Sequence, residues 1–154
     1  MARGTYSGPE DCNCLAVRQA ARHITQFYDQ LLAPSGLRTT QFSILAKLRR
    51  LGPMTINALA AEMVMDRTTL GRNILPLERD GLVIVEQGSR DRRSKELRVT
   101  EAGEARFRAG MKGWAKAQRQ FEKAFGAERT ADMRILLHAV AATRLGTHAA
   151  SAEK

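Results

Sequence analysis

A chain of 154 residues with 44% hydrophobic content is long enough to bury one shared core. Its 25 Lys and Arg against 16 Asp and Glu leave a formal charge of +9, which favours a polyanionic partner, nucleic acid before an anionic membrane. Aromatics at 5% argue against a single-strand binder that stacks bases, and no apolar run approaches a membrane span of about 18 residues or a signal peptide, so the chain reads as cytoplasmic.

From Cys12 to Leu32 apolar residues recur at Val17, Ala20, Ile24, Phe27, Tyr28 and Leu31, which predicts a helix with one wide apolar face. Pro34 and Gly36 end it. Thr39 or Thr40 is expected to cap a second helix with Phe42, Leu45 and Leu48 inward, stopped by Gly52-Pro53. Thr55 caps a third, short helix, and Asp66 a fourth that runs from Arg67 towards Asp80 and ends at Gly81. Pro76 inside this helix predicts a kink or an early end to its regular part. The period then falls to 2. Leu82–Val85 and the alternation around Leu97 and Val99 predict a β-hairpin with residues 88–94 at its tip. Thr100 caps a long helix whose stripe is Phe107, Met111, Trp114, Phe121 and Phe125; Gly126 separates it from a last helix over roughly Glu128–Leu145.

The order α-α-α-α-β-β-α-α gives a mainly helical fold with a small hairpin wing. Residues 37–100 are expected to form a winged helix-turn-helix within one domain spanning 12–146, flanked by the helical regions 12–36 and 101–146. Residues 1–11 and 147–154 read as flexible ends. The long aromatic stripe is more than one small wing domain can cover, which calls for a second copy of the chain.

The fourth helix carries the chemistry. Stepping about 100° per residue, Leu70, Ile74 and Leu77 fall on one stripe, leaving Thr68 and Arg72 almost opposite, Thr69 beside them, and Arg67 and Asn73 nearer the boundary. Thr, Asn and Arg at a helix N-terminus suit phosphate contacts and base-edge hydrogen bonds in the major groove. Such faces are often merely solvated, but the wing adds Arg90, Arg92, Arg93, Lys95 and Arg98 against only Asp91 and Glu96. An Arg-tipped hairpin suits the negative minor groove. Asp91 is expected to orient Arg93 through a charge-assisted pair.

An enzyme is not expected. The chain has no phosphate-binding glycine loop or nucleophile elbow, and only three histidines, His23, His138 and His148. Cys12, Cys14 and His23 are too few for a metal site, and no cofactor is expected. A sequence-indifferent architectural DNA protein is the rival binding reading.

Three segments together resemble the MarR family of bacterial regulators: Asp66-Arg67-Thr68-Thr69-Leu70, Leu77 to Val83, and Asp91-Arg92-Arg93-Ser94-Lys95 continued by Leu97-x-Val99-Thr100-x-x-Gly103. The resemblance implies a homodimer joined by the first and last two helices. It also implies binding to a palindromic operator, usually as a repressor, often released by a small aromatic or phenolic ligand. Hydroperoxide sensors of the family carry a reactive cysteine early in the first helix, flanked by tyrosines. Cys14 is similar in spacing and Tyr28 matches one tyrosine, but Arg18 stands in place of the other. The plain expectation for Cys14 is a buried small hydrophobe, and a ligand is the favoured signal.

Overall fold

The computed structural model describes residues 8–145, in which six helices and three strands follow one another: α1 (Asn13–Leu32), α2 (Thr39–Leu51), β1 (Met54–Thr55), α3 (Ile56–Met63), α4 (Arg67–Arg79), β2 (Val83–Gln87), β3 (Lys95–Val99), α5 (Glu101–Phe125) and α6 (Ala127–Ala142). Pro9–Asp11 adds a 3-10 turn before α1. Of the ends expected to be flexible, 1–7 and 147–154 lie outside the described residues. The chain forms two compact units divided between Ala117 and Gln118.

In the first unit the local signals act as read. The Thr55 hydroxyl accepts from the Ala58 amide at 3.2 Å, and the Asp66 carboxylate accepts from the Thr69 amide at 2.8 Å; each satisfies one of the orphan donors that open a helix. Thr100 caps α5 through the Gly103 amide at 3.0 Å. The α2 cap differs. Arg38 is its N-cap, and the Arg38 amide donates to the Gln41 side chain at 2.9 Å. Thr39 is already helical, and both its amide and its hydroxyl donate to Asp29 of α1 at 2.7 Å. A long-range carboxylate displaced the local hydroxyl.

Pro76 does not end α4, which continues to Arg79. Leu70, Ile74 and Leu77 are buried on one side, and their packing holds the turn that loses one backbone donor. The helix closes where Gly81 turns left-handed (φ 68°), with Gly81 N–H donating to the Glu78 carbonyl and Leu82 N–H to the Leu77 carbonyl.

β2 and β3 pair antiparallel from Val83↔Val99 to Gln87↔Lys95. The sheet has a third member that hydrophobic periodicity did not reveal: β1 pairs with the other edge of β3, Met54↔Leu97 and Thr55↔Glu96. Beneath the sheet and helices lies one core that includes Leu45, Leu59, Leu70, Leu77, Val83 and Leu97.

The aromatic stripe of α5 is only partly what the sequence led us to expect. Phe107 is buried and stacks on Phe42 with ring centroids 4.7 Å apart, and Trp114 lies 6.2 Å from the same ring. These rings complete the chain's own core instead of awaiting a partner. Helical periodicity specifies a face but not what covers it. α5 also passes close to neighbouring backbone: a Cβ on Gly103 would strike the Leu82 carbonyl, and one on Gly113 the Leu31 carbonyl. Met111 of the stripe stays exposed, and more uncovered apolar surface lies elsewhere. On α1, Leu15 and Val17 are exposed. In the second unit, Phe121 and Phe125 pack at 5.5 Å and Arg129 sits over Phe125, while Thr130 is the one buried residue of α6. Ile135 and Leu136 of α6 are each 66% exposed, and Leu137 and Val140 are exposed as well.

Candidate nucleic-acid interface

Burial of Leu70, Ile74 and Leu77 fixes the rotation of α4, so the opposite face carries Arg67, Thr68, Thr69 and Arg72, all exposed, with Asn73 half-buried. These side chains do not all have the same freedom. Thr69 donates its hydroxyl to Asp66 at 2.5 Å, and Asn73 donates its amide to the Thr69 carbonyl at 2.8 Å. Both are engaged in holding the first turns of the helix. Among the described residues, Arg67 and Arg72 make no ion pair, so their donors are available to an anion or a base edge.

Asp66 organises this face. The hydroxyl and the amide of Thr69 both bond its carboxylate and hold its pKa below the ordinary carboxylate value. In the wing, bidentate bonding from Arg98 at 2.7 and 2.9 Å likewise lowers the Glu86 carboxyl and raises the Arg98 guanidinium. Both carboxylates therefore add stability above the unfolded carboxylate range, and lose it only as pH falls through their lowered values. Cap and pair persist at neutral pH. Arg98, counted among the wing cations from sequence, is thus already neutralised by a cross-strand partner.

The tip is a built turn. Gly88 N–H donates to the Ser94 carbonyl, and Ser94 donates both its amide and its hydroxyl to the Asp91 carbonyl, at 3.0 and 2.8 Å. The Asp91 carboxylate accepts from the backbone amide of Arg93 at 2.9 Å. Asp91 does orient Arg93, but by an Asx-type turn and not by the expected pair with the guanidinium. A carboxylate two residues upstream reaches the amide more easily than the end of a long side chain. Arg90, Arg92 and Arg93 remain exposed and, among the described residues, make no ion pair.

Two features escaped the sequence. A cavity of about 430 Å³ opens between α2 and α5, lined by Phe42, Ala46, Lys47, Arg50, Phe107 and Trp114 among others. Lys47 and Arg50 lie one turn apart beside Ala46, a spacing that could have marked a cationic rim to an aromatic floor. Lys47 also pairs with Glu62 of α3 at 3.1 Å. The expectation that Cys14 is buried fails on this chain: both Cys12 and Cys14 are exposed, and Cys12 is the N-cap of α1, its sulfur accepting from the Leu15 amide.

The MarR family model matches residues 37–95, from just before α2 through the wing tip. The curated regulator YwoH of Bacillus subtilis (strain 168), of the HTH type, is 34% identical over 91 residues; the match covers 59% of this chain and 66% of that protein's length. The M. tuberculosis transcriptional regulator MosR, crystallised in complex with DNA, is 38% identical with a TM-score of 0.74, over 88% of this chain and 100% of that one. Bordetella bronchiseptica BpsR, at 19% identity, shares the fold with a TM-score of 0.79 over 92% of this chain and 100% of its own. The chain belongs to the MarR family of DNA-binding transcriptional regulators.

Proposed function

We propose that the protein acts in the cytoplasm as a homodimeric repressor on a palindromic operator in double-stranded DNA. Arg67, Thr68 and Arg72 read the major groove from a helix start held by Thr69 and Asn73, while Arg90, Arg92 and Arg93 enter the minor groove on a tip shaped by Asp91. The observation that carries this reading is the pair of exposed, unpaired cations on the α4 face opposite Leu70, Ile74 and Leu77. Arg72→Ala is expected to weaken operator binding by about 1–3 kcal/mol and to relax base preference at one position per half-site. Titrations on operator and on random duplex check this. Equal losses on the two would reduce Arg72 to a phosphate contact, and an absence of operator preference in the native protein would favour the architectural reading.

The signal is proposed to be a small aromatic acid or phenol in the cavity between α2 and α5. Phe42, Phe107 and Trp114 offer ring surface, and Lys47 and Arg50 offer charge to the anion. Because Lys47 is shared with Glu62 of α3, an anion that draws it away loosens a link into the reading block. The exposure of both thiols favours a second reading, peroxide sensing through Cys14. On the ligand reading, low micromolar cumene hydroperoxide leaves the operator complex of native protein intact, and Cys14→Ser binds operator normally. Peroxide-driven release that disappears in Cys14→Ser would make the protein a thiol sensor.

A further inference from the structure

Val64 sits at the turn between α3 and α4 with φ 52° and ψ 45°, and among the described residues it is the one non-glycine residue with positive φ. The turn needs this left-handed conformation. It lets the Val64 amide donate to the Ala61 carbonyl and the Met65 amide to the Ala60 carbonyl, returns Met65 to the core, and sets Asp66 to cap α4. What the turn does not need is valine. A β-branched side chain is among the worst for this region, where glycine or asparagine is at ease. Nor does packing compensate, since Val64 is 72% exposed, the most exposed of the large hydrophobic residues described. A strained and solvated isopropyl group beside a functional helix is the kind of feature that points to use in a bound state.

We infer that Val64 is an apolar DNA-contacting residue that contributes to operator selectivity. This rests on the proposed reading of DNA by α4. Val64 precedes Arg67 and Thr68 by three and four residues, so it lies at the end of the motif that enters the major groove. The non-polar groups offered there are thymine 5-methyls and deoxyribose C–H groups, and an isopropyl group suits either. Thr68 and Arg72 would supply polar readout, and Val64 would exclude water at its edge.

Two substitutions separate strain from contact. Val64→Ala keeps a left-handed Cβ but removes the contacting methyls; Val64→Asn relieves the strain. The probe is the duplex selected by the native protein from random DNA, together with a set in which each thymine is replaced singly by deoxyuridine. Val64→Ala is expected to bind the selected duplex about three- to tenfold more weakly than native protein, with random-duplex affinity unchanged. If a thymine methyl is the partner, one deoxyuridine per half-site costs the native protein the same factor and costs Val64→Ala nothing further. If no deoxyuridine matters while Val64→Ala is still weaker, the contact is to deoxyribose, which carries no sequence, and the inferred role in selectivity is overturned. Val64→Asn is expected to melt a few degrees above native protein and to bind the selected duplex more weakly. Unchanged affinity in Val64→Ala, or a melting temperature of Val64→Asn no higher than native, overturns the inference. Failure of the native protein to select any duplex would instead overturn the DNA-reading proposal beneath it.

Discussion

Replacing Ile135 and Leu136 of α6 together by glutamate is expected to leave a folded monomer that binds operator at least about a hundredfold more weakly. Both side chains are largely exposed on the chain and contribute nothing to its own core, so folding should survive. In a two-fold symmetric interface each substitution counts twice. Four large side chains, each worth roughly 1.5–3 kcal/mol when buried, amount to roughly 6–12 kcal/mol, enough to move a nanomolar dimer far beyond working concentration. A monomer engages one half-site and forfeits the gain of roughly 10²–10⁴ that linkage of two sites supplies. Sedimentation velocity and operator titration measure the two effects. A variant that still sediments as a dimer would place the interface away from α6.

The second large effect belongs to the wing. Arg92→Ala with Arg93→Ala should flatten the dependence of log K on log salt by about 0.9 for each phosphate no longer neutralised, hence by about 2–4 for a dimer with two wings. Arg98→Ala is the internal control. Its guanidinium is held by Glu86 and should change the slope little. Asp91→Ala should also weaken binding although it removes a negative charge, because the Arg93 amide loses the carboxylate that fixes the turn. A double Arg variant with an unchanged slope would mean that the wing does not touch DNA, and tighter binding by Asp91→Ala would refute its orienting role.

The parts of this fold that were legible in the sequence are those determined by neighbours in the chain. Asp66 and Thr55 announce helix starts because the donors they satisfy lie three residues on. Leu70, Ile74 and Leu77 define the buried side of α4, and so its opposite face, by spacing alone. The parts that were missed depend on distant partners. Two residues, Met54 and Thr55, have no readable period and become a strand only because β3 offers an open edge. Phe107 and Trp114 were credited to a dimer because nothing local predicts that Phe42, more than sixty residues away, would meet them. Asp91 could have reached either end of Arg93, and only the formed turn selects the amide. Val64 escaped because its backbone angle is imposed by the return of Met65 to the core.

Thr55 ends β1 and caps α3, while its strand partner Glu96 lies in β3, which continues into the wing. One short stretch of backbone therefore clamps the start of the helix-turn-helix to the tip-side half of β3. Sliding β3 by one residue would break the pairing of β1, whose last residue is the cap of α3. Helix and wing thus behave as a single stiff caliper jaw. A signal received anywhere in the dimer need not reshape either reading element. On the proposed DNA reading, it has only to change the gap between the two jaws of the dimer.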